Sequence, residues 1–337
     1  MRWDVHNHAV PREAVELLRS TDGFPVSVHG DVLEADRIRA RLTPEFLDAA
    51  TKIEQLERLE LEAAVVSGAP PLFAYESDAG RAQALCRAVN SGLAELCAHD
   101  PERLRWIAQV PLQAPDLAVA LLGTARNDGA VGAHIGSSVA GTPLDQAGLE
   151  PFWAAAGDLD MALLLHPAYN NPHPGLEGYH LQNVIGNQLE TTIAAERLVV
   201  TGVLDRHPRL RLLLVHAGGY VPWQAGRLRH AATVRSELAG TPSNPWDYLG
   251  RLFMDTITHD VATLRQLVER AGTEAIVMGT DLPFDMATPE PVATLEAAVG
   301  SHAAREVMED TPRRLFALDT LSGNPTMHPT PQKGRTR

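Results

Sequence analysis

The chain opens with the sequence Trp3-Asp-Val-His-Asn-His8, and the interpretation of everything that follows depends on it. If residues 3–7 form a β-strand, His6 and His8 project from the same face, because side chains alternate along a strand. Their Cα atoms would then lie about 6–7 Å apart. Two imidazoles at that spacing suit a single metal ion. The stretch therefore predicts a metal site whose remaining ligands come from farther along the chain.

Short apolar segments recur after this first strand, and segments with helical spacing separate them. The predicted strands are residues 3–7, 63–70, 104–111, 130–136, 160–167, 210–216, 251–257 and 274–281. Apolar strands that alternate with helices imply a parallel sheet, and eight such units imply a closed (β/α)₈ barrel of the α/β class. A doubly wound open sheet is the alternative. It normally carries a glycine-rich phosphate loop after its first strand, where this chain has His-Asn-His.

The same pattern predicts one domain over residues 1–320. A segment of about residues 9–50 interrupts the first unit, and we interpret it as a small insertion with a hairpin that turns at Gly30-Asp31. The insertion also holds the arginines Arg37, Arg39 and Arg41. Residues 321–337 are rich in proline, threonine and glycine, and we predict that they form a disordered tail.

Composition narrows the class of protein. The 337 residues carry a formal net charge of -13, which argues against a nucleic-acid partner or an anionic membrane surface. Cys86 and Cys97 are the only cysteines, and their spacing on a predicted helix makes a disulfide implausible. No apolar run approaches the roughly 20 residues that span a bilayer. The motif begins almost at Met1 and leaves no room for a secretory signal. We therefore expect a cytoplasmic protein.

Polar residues at the ends of apolar strands are the strongest functional signal, because the carboxyl ends of barrel strands meet at one mouth. These residues are His6, His8, His134, His166, His216 and Asp281. Three imidazole nitrogens and one carboxylate oxygen, from His6, His8, His166 and Asp281, would hold a divalent ion and leave one position open. His216 would then be free for acid/base chemistry. We interpret His134 as a core histidine that the backbone satisfies, and Asp4 as a structural partner.

An ordered set of motifs resembles the amidohydrolase superfamily. The motifs are Asp4-Val-His-Asn-His8, Leu165-His-Pro167, Gly202-Val-Leu-Asp-Arg-His-Pro208, Val215-His-Ala-Gly-Gly219 and Gly279-Thr-Asp-Leu-Pro-Phe284. More narrowly, the set resembles the branch that contains aminocarboxymuconate-semialdehyde decarboxylase and related aromatic-acid decarboxylases. The resemblance implies a distorted TIM barrel and a divalent metal, usually zinc with manganese as the alternative, on the four predicted ligands. It also implies His216 as the catalytic histidine, with Asp281 beside it.

The resemblance extends to substrate binding. Arg227 matches an arginine that reaches a neighbouring subunit's site and binds the substrate carboxylate, which implies a homodimer and a small carboxylate substrate. A second arginine comes from the insertion. Arg41 is our choice for it, although Arg37 and Arg39 also fit. His180 stands where the semialdehyde decarboxylase has a tryptophan, and His134 stands where a glutamine is expected. Both lie where substrate binds, so these differences favour another substrate.

The lysine content limits the metal site. Binuclear amidohydrolases commonly bridge two metals with a carboxylated lysine at the end of strand 4, yet the only lysines here are Lys52, before strand 2, and Lys333 in the tail. A lysine-bridged pair of metal ions is excluded, and a mononuclear site is favoured.

We expect a metal-dependent non-oxidative decarboxylase. A hydrolase of a lactone or cyclic amide, or a hydratase, could use the same residues. A non-catalytic binding barrel is the remaining alternative. Asp255 and His259 either shape the pocket or cap the next helix.

Overall fold

The computed structural model describes residues 1–35, 38–169 and 173–318. Eight parallel strands form its central sheet in the order of the chain. They are β1 Trp3–Ala9, β2 Ala63–Gly68, β3 Leu104–Gln109, β4 Gly132–Gly136, β5 Ala162–His166, β6 Leu212–Leu214, β7 Leu252–Asp255 and β8 Ile276–Val277. Backbone bonds join the first strand to the segment that follows the last one, including His8 N to Leu282 O at 2.7 Å. The sheet closes, and the predicted (β/α)₈ barrel is confirmed.

Apolar side chains fill the inside of the barrel because every strand carries them at alternate positions. The inner cluster includes Val5, Val65, Ile107, Leu164, Leu213, Phe253 and Val277. Leu315, Phe316 and Leu318, from the end of the described chain, join this cluster. Phe316 lies against Gly132, the first residue of β4, so these side chains cover the amino-terminal end of the barrel. Each such side chain contributes roughly 1.5–3 kcal/mol through burial.

Helices surround the sheet and cover its outer face with a second, larger apolar cluster. The α-helices are Arg12–Ser20, Pro44–Leu47, Ala49–Arg58, Ala79–Ala98, Pro115–Asn127, Glu150–Asp158, Asn187–Val200, Val203–Arg206, Val221–Val234, Val261–Ala271, Pro291–Arg305 and Thr311–Phe316. A π-helical turn, Gln182–Gly186, precedes the helix that follows β5. The helix Asn187–Val200 ends just before Gly202, whose φ of +72° is outside the helical range. Among the residues that the structure describes, no helix carries an apolar stretch long enough to cross a lipid bilayer.

The insertion after β1 contains a small antiparallel sheet of three strands, Val26–His29, Val32–Ala35 and Ile38–Arg41. The first two strands form the predicted hairpin, with Gly30 at a φ of +61° in its turn. The arginine-rich piece supplies the third strand, which pairs with the second. Arg37 and the predicted tail, residues 321–337, lie outside the described residues.

Candidate metal centre

A β-bulge in the first strand places the two leading histidines. The register of β1 against β2 shifts between Asp4 and Asn7, as an extra residue on one strand requires. The Asp4 carboxylate accepts hydrogen bonds from Asn7 Nδ2 at 2.8 Å and Thr280 Oγ1 at 2.6 Å. His6 and His8 instead turn their rings toward each other, with their Nε2 atoms 3.0 Å apart. Asp4 thus takes the structural part predicted for it.

The four predicted ligands converge at the carboxyl end of the barrel. His166 is the last residue of β5, and Asp281 follows β8. Asp281 Oδ1 lies 3.1 Å from His8 Nε2 and 3.5 Å from His6 Nε2. One donor atom from each of the four residues lies within 4.8 Å of all the others, and all four side chains are buried. The barrel therefore brings together three nitrogens and one oxygen from three separate strand ends.

The hydrogen bonds around the rings leave the donor atoms free for a cation. His6 Nδ1 faces Asp255 Oδ2 at 2.8 Å, and His166 Nδ1 faces the carbonyl of Pro167 at 3.0 Å. His8 Nδ1 faces Ser67 Oγ at 2.9 Å. Acceptors at Nδ1 place the ring proton there and leave the lone pair on Nε2. Two lone-pair nitrogens 3.0 Å apart repel each other unless a cation lies beside them. These residues fit a divalent ion.

The protonation states agree with ligation. Burial lowers the pKa of His8 to about 4 and holds the pKa of His166 well below its ordinary value. Burial alone would raise the pKa of Asp281, but the neighbouring imidazoles of His216, His8 and His6 hold it well below its usual range. The pKa of His6 is raised against the effect of burial by its bond to Asp255. The centre therefore presents neutral imidazoles at His8 and His166 and an ionised carboxylate.

Asp255, at the end of β7, supports both the metal ligands and the turn that carries His216. One carboxylate accepts from the amides of His216 at 2.9 Å and Ala217 at 2.7 Å, while also bonding the His6 ring. His216 and Ala217 have φ values of +54° and +58°, a left-handed turn that points successive amides at an anion. Asp260, not Asp255, caps the next helix, through Thr263 N at 2.7 Å. Of the two roles open for Asp255, the structure places it at the site.

His216 lies next to the four ligands without being one of them. Its Nε2 is 3.5 Å from Asp281 Oδ2, and its ring centre is 5.2 Å from that of His166. His134 is fully buried, with ring centres 5.7 Å from His8 and 4.5 Å from Phe73. It is a core histidine as predicted, but in the described part of the chain neither ring nitrogen has a hydrogen bond of good geometry. The backbone of Gly68 lies beside the ring and opposes the effect of burial on the pKa of His134.

Two arms of a cleft open above the ligands, and Asp281 lines both. The first arm has a volume of about 180 Å³ and is lined by His166, Tyr169, His180, Phe284 and Arg39. The second has a volume of about 350 Å³ and is lined by His216, Trp223, Thr258, His259 and Gln188. The cleft can therefore place a small molecule against both the ligands and His216.

The structure distinguishes among the arginines that the sequence offers as substrate-binding residues. Arg39 lines the first arm, and its guanidinium bonds no carboxylate in the described chain. Arg41 bonds Asp31 with Nε at 2.6 Å from Oδ2, on an exposed surface. Arg227 is exposed on the helix Val221–Val234 and is not among the residues that line either arm. Asp31, ten residues before Arg41 at the hairpin turn, is the signal that could have distinguished these arginines.

Comparison with known proteins identifies a matching family and several relatives of this chain. The sequence model of the amidohydrolase family matches residues 3–318. The 2-amino-3-carboxymuconate-6-semialdehyde decarboxylase of Dictyostelium discoideum is 28% identical, across 97% of this chain and 93% of that protein. The gamma-resorcylate decarboxylase of Rhizobium sp. (strain MTP-10005) is 30% identical, across 80% of this chain and 87% of that protein. A dihydroxybenzoic acid decarboxylase from Polaromonas sp. JS666, solved with bound manganese and the inhibitor 2-nitroresorcinol, superposes with a TM-score of 0.76. It is 22% identical, and the match covers 94% of this chain and 97% of that one.

Proposed function

We propose that this chain, which belongs to the amidohydrolase family, is a metal-dependent non-oxidative decarboxylase of a small aromatic or muconate-type carboxylic acid. Relatives of 28% and 30% identity are named as decarboxylases of this kind, one of a carboxymuconate semialdehyde and one of a resorcylate. The family match spans residues 3–318 and so includes all the strand ends that hold the site.

One observation carries the proposal: a guanidinium with no carboxylate partner among the described residues faces the same cleft as the metal ligands. Arg39 lines the first arm together with His166, and Asp281 connects that arm to His216 in the second. A substrate carboxylate at Arg39 would form a charge-assisted hydrogen bond. His180 lines the same arm and adds a second donor. We place the carbon that bears the carboxylate between the ligands and His216 in this pose.

The residues then divide the chemistry. His6, His8, His166 and Asp281 would hold a divalent ion, zinc in our proposal with manganese as the alternative, and this ion would supply positive charge to the site. The bond between the substrate carbon and its carboxylate breaks, and its electron pair stays on that carbon. His216 delivers a proton to that carbon, and carbon dioxide leaves. Asp281, ionised beside His216, keeps the imidazole oriented toward the substrate.

Carbon dioxide release from a panel of hydroxybenzoates and carboxymuconate semialdehydes tests the proposal. Protein loaded with zinc or with manganese should release carbon dioxide from at least one member, and the product should carry one solvent deuteron when the reaction runs in deuterium oxide. His216→Asn should keep the metal and lose the release. Turnover of lactones or cyclic amides with no carbon dioxide from any acid would contradict a decarboxylase and favour a hydrolase that uses the same ligands.

We also propose that the enzyme is a homodimer in which Arg227 enters the neighbouring subunit's cleft. Its support is that Arg227 is exposed and bonds no carboxylate in the described chain. Subunit mixing tests this proposal, because a chain with Arg227→Ala keeps its own His216. Hybrids of Arg227→Ala with His216→Asn would regain activity that neither variant has alone. No recovery in hybrids, or full activity of Arg227→Ala, would contradict the shared site.

A further inference from the structure

A lysine lies fully buried beside the first strand, in a part of the chain that the proposed chemistry does not use. Lys52 belongs to the helix Ala49–Arg58 and shares that helix's buried face with Ala49 and Leu56. Burial of an amine is costly, and it lowers the pKa of Lys52 to about 8. A lysine kept in such a position needs bonds that compensate for its lost hydration.

Lys52 obtains those bonds from the bulged part of β1. Its Nζ donates to Asn7 Oδ1 at 2.7 Å and to the backbone carbonyl of His8 at 2.8 Å. Asn7 Nδ2 donates in turn to Asp4 Oδ2 at 2.8 Å, and Thr280 Oγ1 donates to the same oxygen at 2.6 Å. These four residues, Lys52, Asn7, Asp4 and Thr280, form a continuous buried network that we term the β1 relay.

The β1 relay holds backbone on both sides of the metal centre. Asp4 Oδ1 accepts from the amides of His6 and Thr280, each at 3.1 Å. Thr280 directly precedes the ligand Asp281 in the chain, and Lys52 holds the carbonyl of the ligand His8. The relay therefore bonds the main chain at or next to three of the four ligands. It does so where the bulge shifts the ladder between β1 and β2.

We propose that Lys52 is a positioning residue for the metal centre, which sets the separation and direction of His6, His8 and Asp281 through the β1 relay. Nζ donates both hydrogen bonds, to Asn7 and to His8, so this role requires hydrogen bonding and no proton transfer. Groups that orient metal ligands commonly contribute about 10–100-fold to metal affinity. The inference concerns metal binding alone and does not rest on which reaction the enzyme catalyses.

Metal affinity of Lys52→Met tests the inference, because methionine has a similar length and no donor. Competition with a chelator should show zinc bound about 10–100-fold more weakly than in the unmodified protein. The visible absorption spectrum of the cobalt-loaded variant should also shift, because the ligand geometry changes. Affinity within about twofold of the unmodified protein, together with an unchanged cobalt spectrum, would overturn the proposal.

Arg265→Met is the matched control. Arg265 also donates to backbone carbonyls, those of Ala298 at 2.9 Å and Ala297 at 3.0 Å, but it bonds no residue of the relay. We expect it to lower the melting temperature without changing zinc affinity or the cobalt spectrum. If Lys52→Met does not fold, Asn7→Ala breaks the relay and leaves the bond from Lys52 to His8. Unchanged zinc affinity in folded Asn7→Ala would then overturn the proposal.

Discussion

The floor of the cleft and its rim hold their polar side chains in different ways. The floor consists of His6, His8, His166 and Asp281, which are buried and come from strand ends, and each ring has a partner for its second nitrogen. The rim consists of Arg39 and His180, which are exposed and come from the insertion and from a loop. The barrel determines the geometry of the floor, whereas the rim can change without disturbing the fold. Substrate choice is therefore expected to reside in the rim.

Removal of one floor ligand should give the largest effect. We predict that His166→Gln loses stoichiometric zinc and lowers kcat/KM by about a thousandfold or more, because the charge of the ion is worth several kcal/mol in the transition state. Metal analysis and carbon dioxide release would check this outcome. A variant that lacks metal but retains kcat/KM within tenfold would show that the floor is not the reaction centre.

The support beneath the floor should rank next. Asp255→Asn keeps the size of the side chain but weakens its bonds to the His6 ring and to the amides of the left-handed turn. We predict about 10–100-fold weaker zinc binding, measured by chelator competition. Asp260→Asn is the control, since Asp260 only caps a helix and should alter stability by about 1 kcal/mol at most. Equal zinc affinity in the two variants would refute the role of Asp255.

The rim should show its effect in substrate binding and leave the metal in place. We predict that Arg39→Gln lowers kcat/KM by about 10–100-fold, the value of one charge-assisted hydrogen bond. Arg41→Gln should change kcat/KM by less than about twofold, because its exposed bond to Asp31 is worth little. Both variants should retain full zinc content. The reverse order of the two arginines would return the substrate role to Arg41.

Acid sensitivity of the metal-free protein should be the smallest effect. Burial lowers the pKa of His8, to about 4, and those of His134 and His166. Below about pH 6.5, the ordinary pKa of histidine, the unfolded chain binds protons that these three histidines do not bind in the folded protein. The free energy of unfolding therefore falls as the pH falls toward 4. The pKa of His6 is raised, which opposes this trend, but His6 is one histidine against three whose pKa values are lowered.

We predict that the melting temperature of metal-free protein drops between pH 7 and pH 5, and that His134→Gln makes the drop shallower. His134 is outside the ligand set, so the variant should bind zinc as before. Thermal melts across this range would check the result. An unchanged or steeper dependence in His134→Gln would contradict the assignment of a neutral buried imidazole.

Strand periodicity and polar strand ends were enough to predict the barrel and the four floor residues. Parallel strands must end at one mouth, so His166 and Asp281 could be placed opposite His6 without knowledge of the loops. Alternation failed inside β1, where a bulge separates Asp4 from the ring positions of His6 and His8. At this bulge Thr280 bonds the carboxylate of Asp4, 276 positions away in the chain. No local sequence pattern indicates such a contact.

The rim and the supporting residues were harder to predict for a physical reason. Arg39 and Arg41 share a strand, and only the contact of Arg41 with Asp31 distinguishes them. The sequence pattern places Lys52 before β2 and assigns it no role, although its spacing to Ala49 and Leu56 puts it on the buried helix face. The available signal for a buried lysine was its position on the apolar face of this helix. The hydrophobic pattern of the helix is recognised from its apolar residues alone, so it does not reveal the lysine.

Metal titration of the apoenzyme tests the central claim, a mononuclear metal centre that supports decarboxylation, most directly. Chelated protein would receive zinc or manganese in fractional equivalents, and carbon dioxide release from the best acid of the panel would be measured at each addition. We predict that release is absent without metal, rises linearly and saturates at one ion per chain. Saturation at two ions per chain, or release by the metal-free protein, would contradict the account.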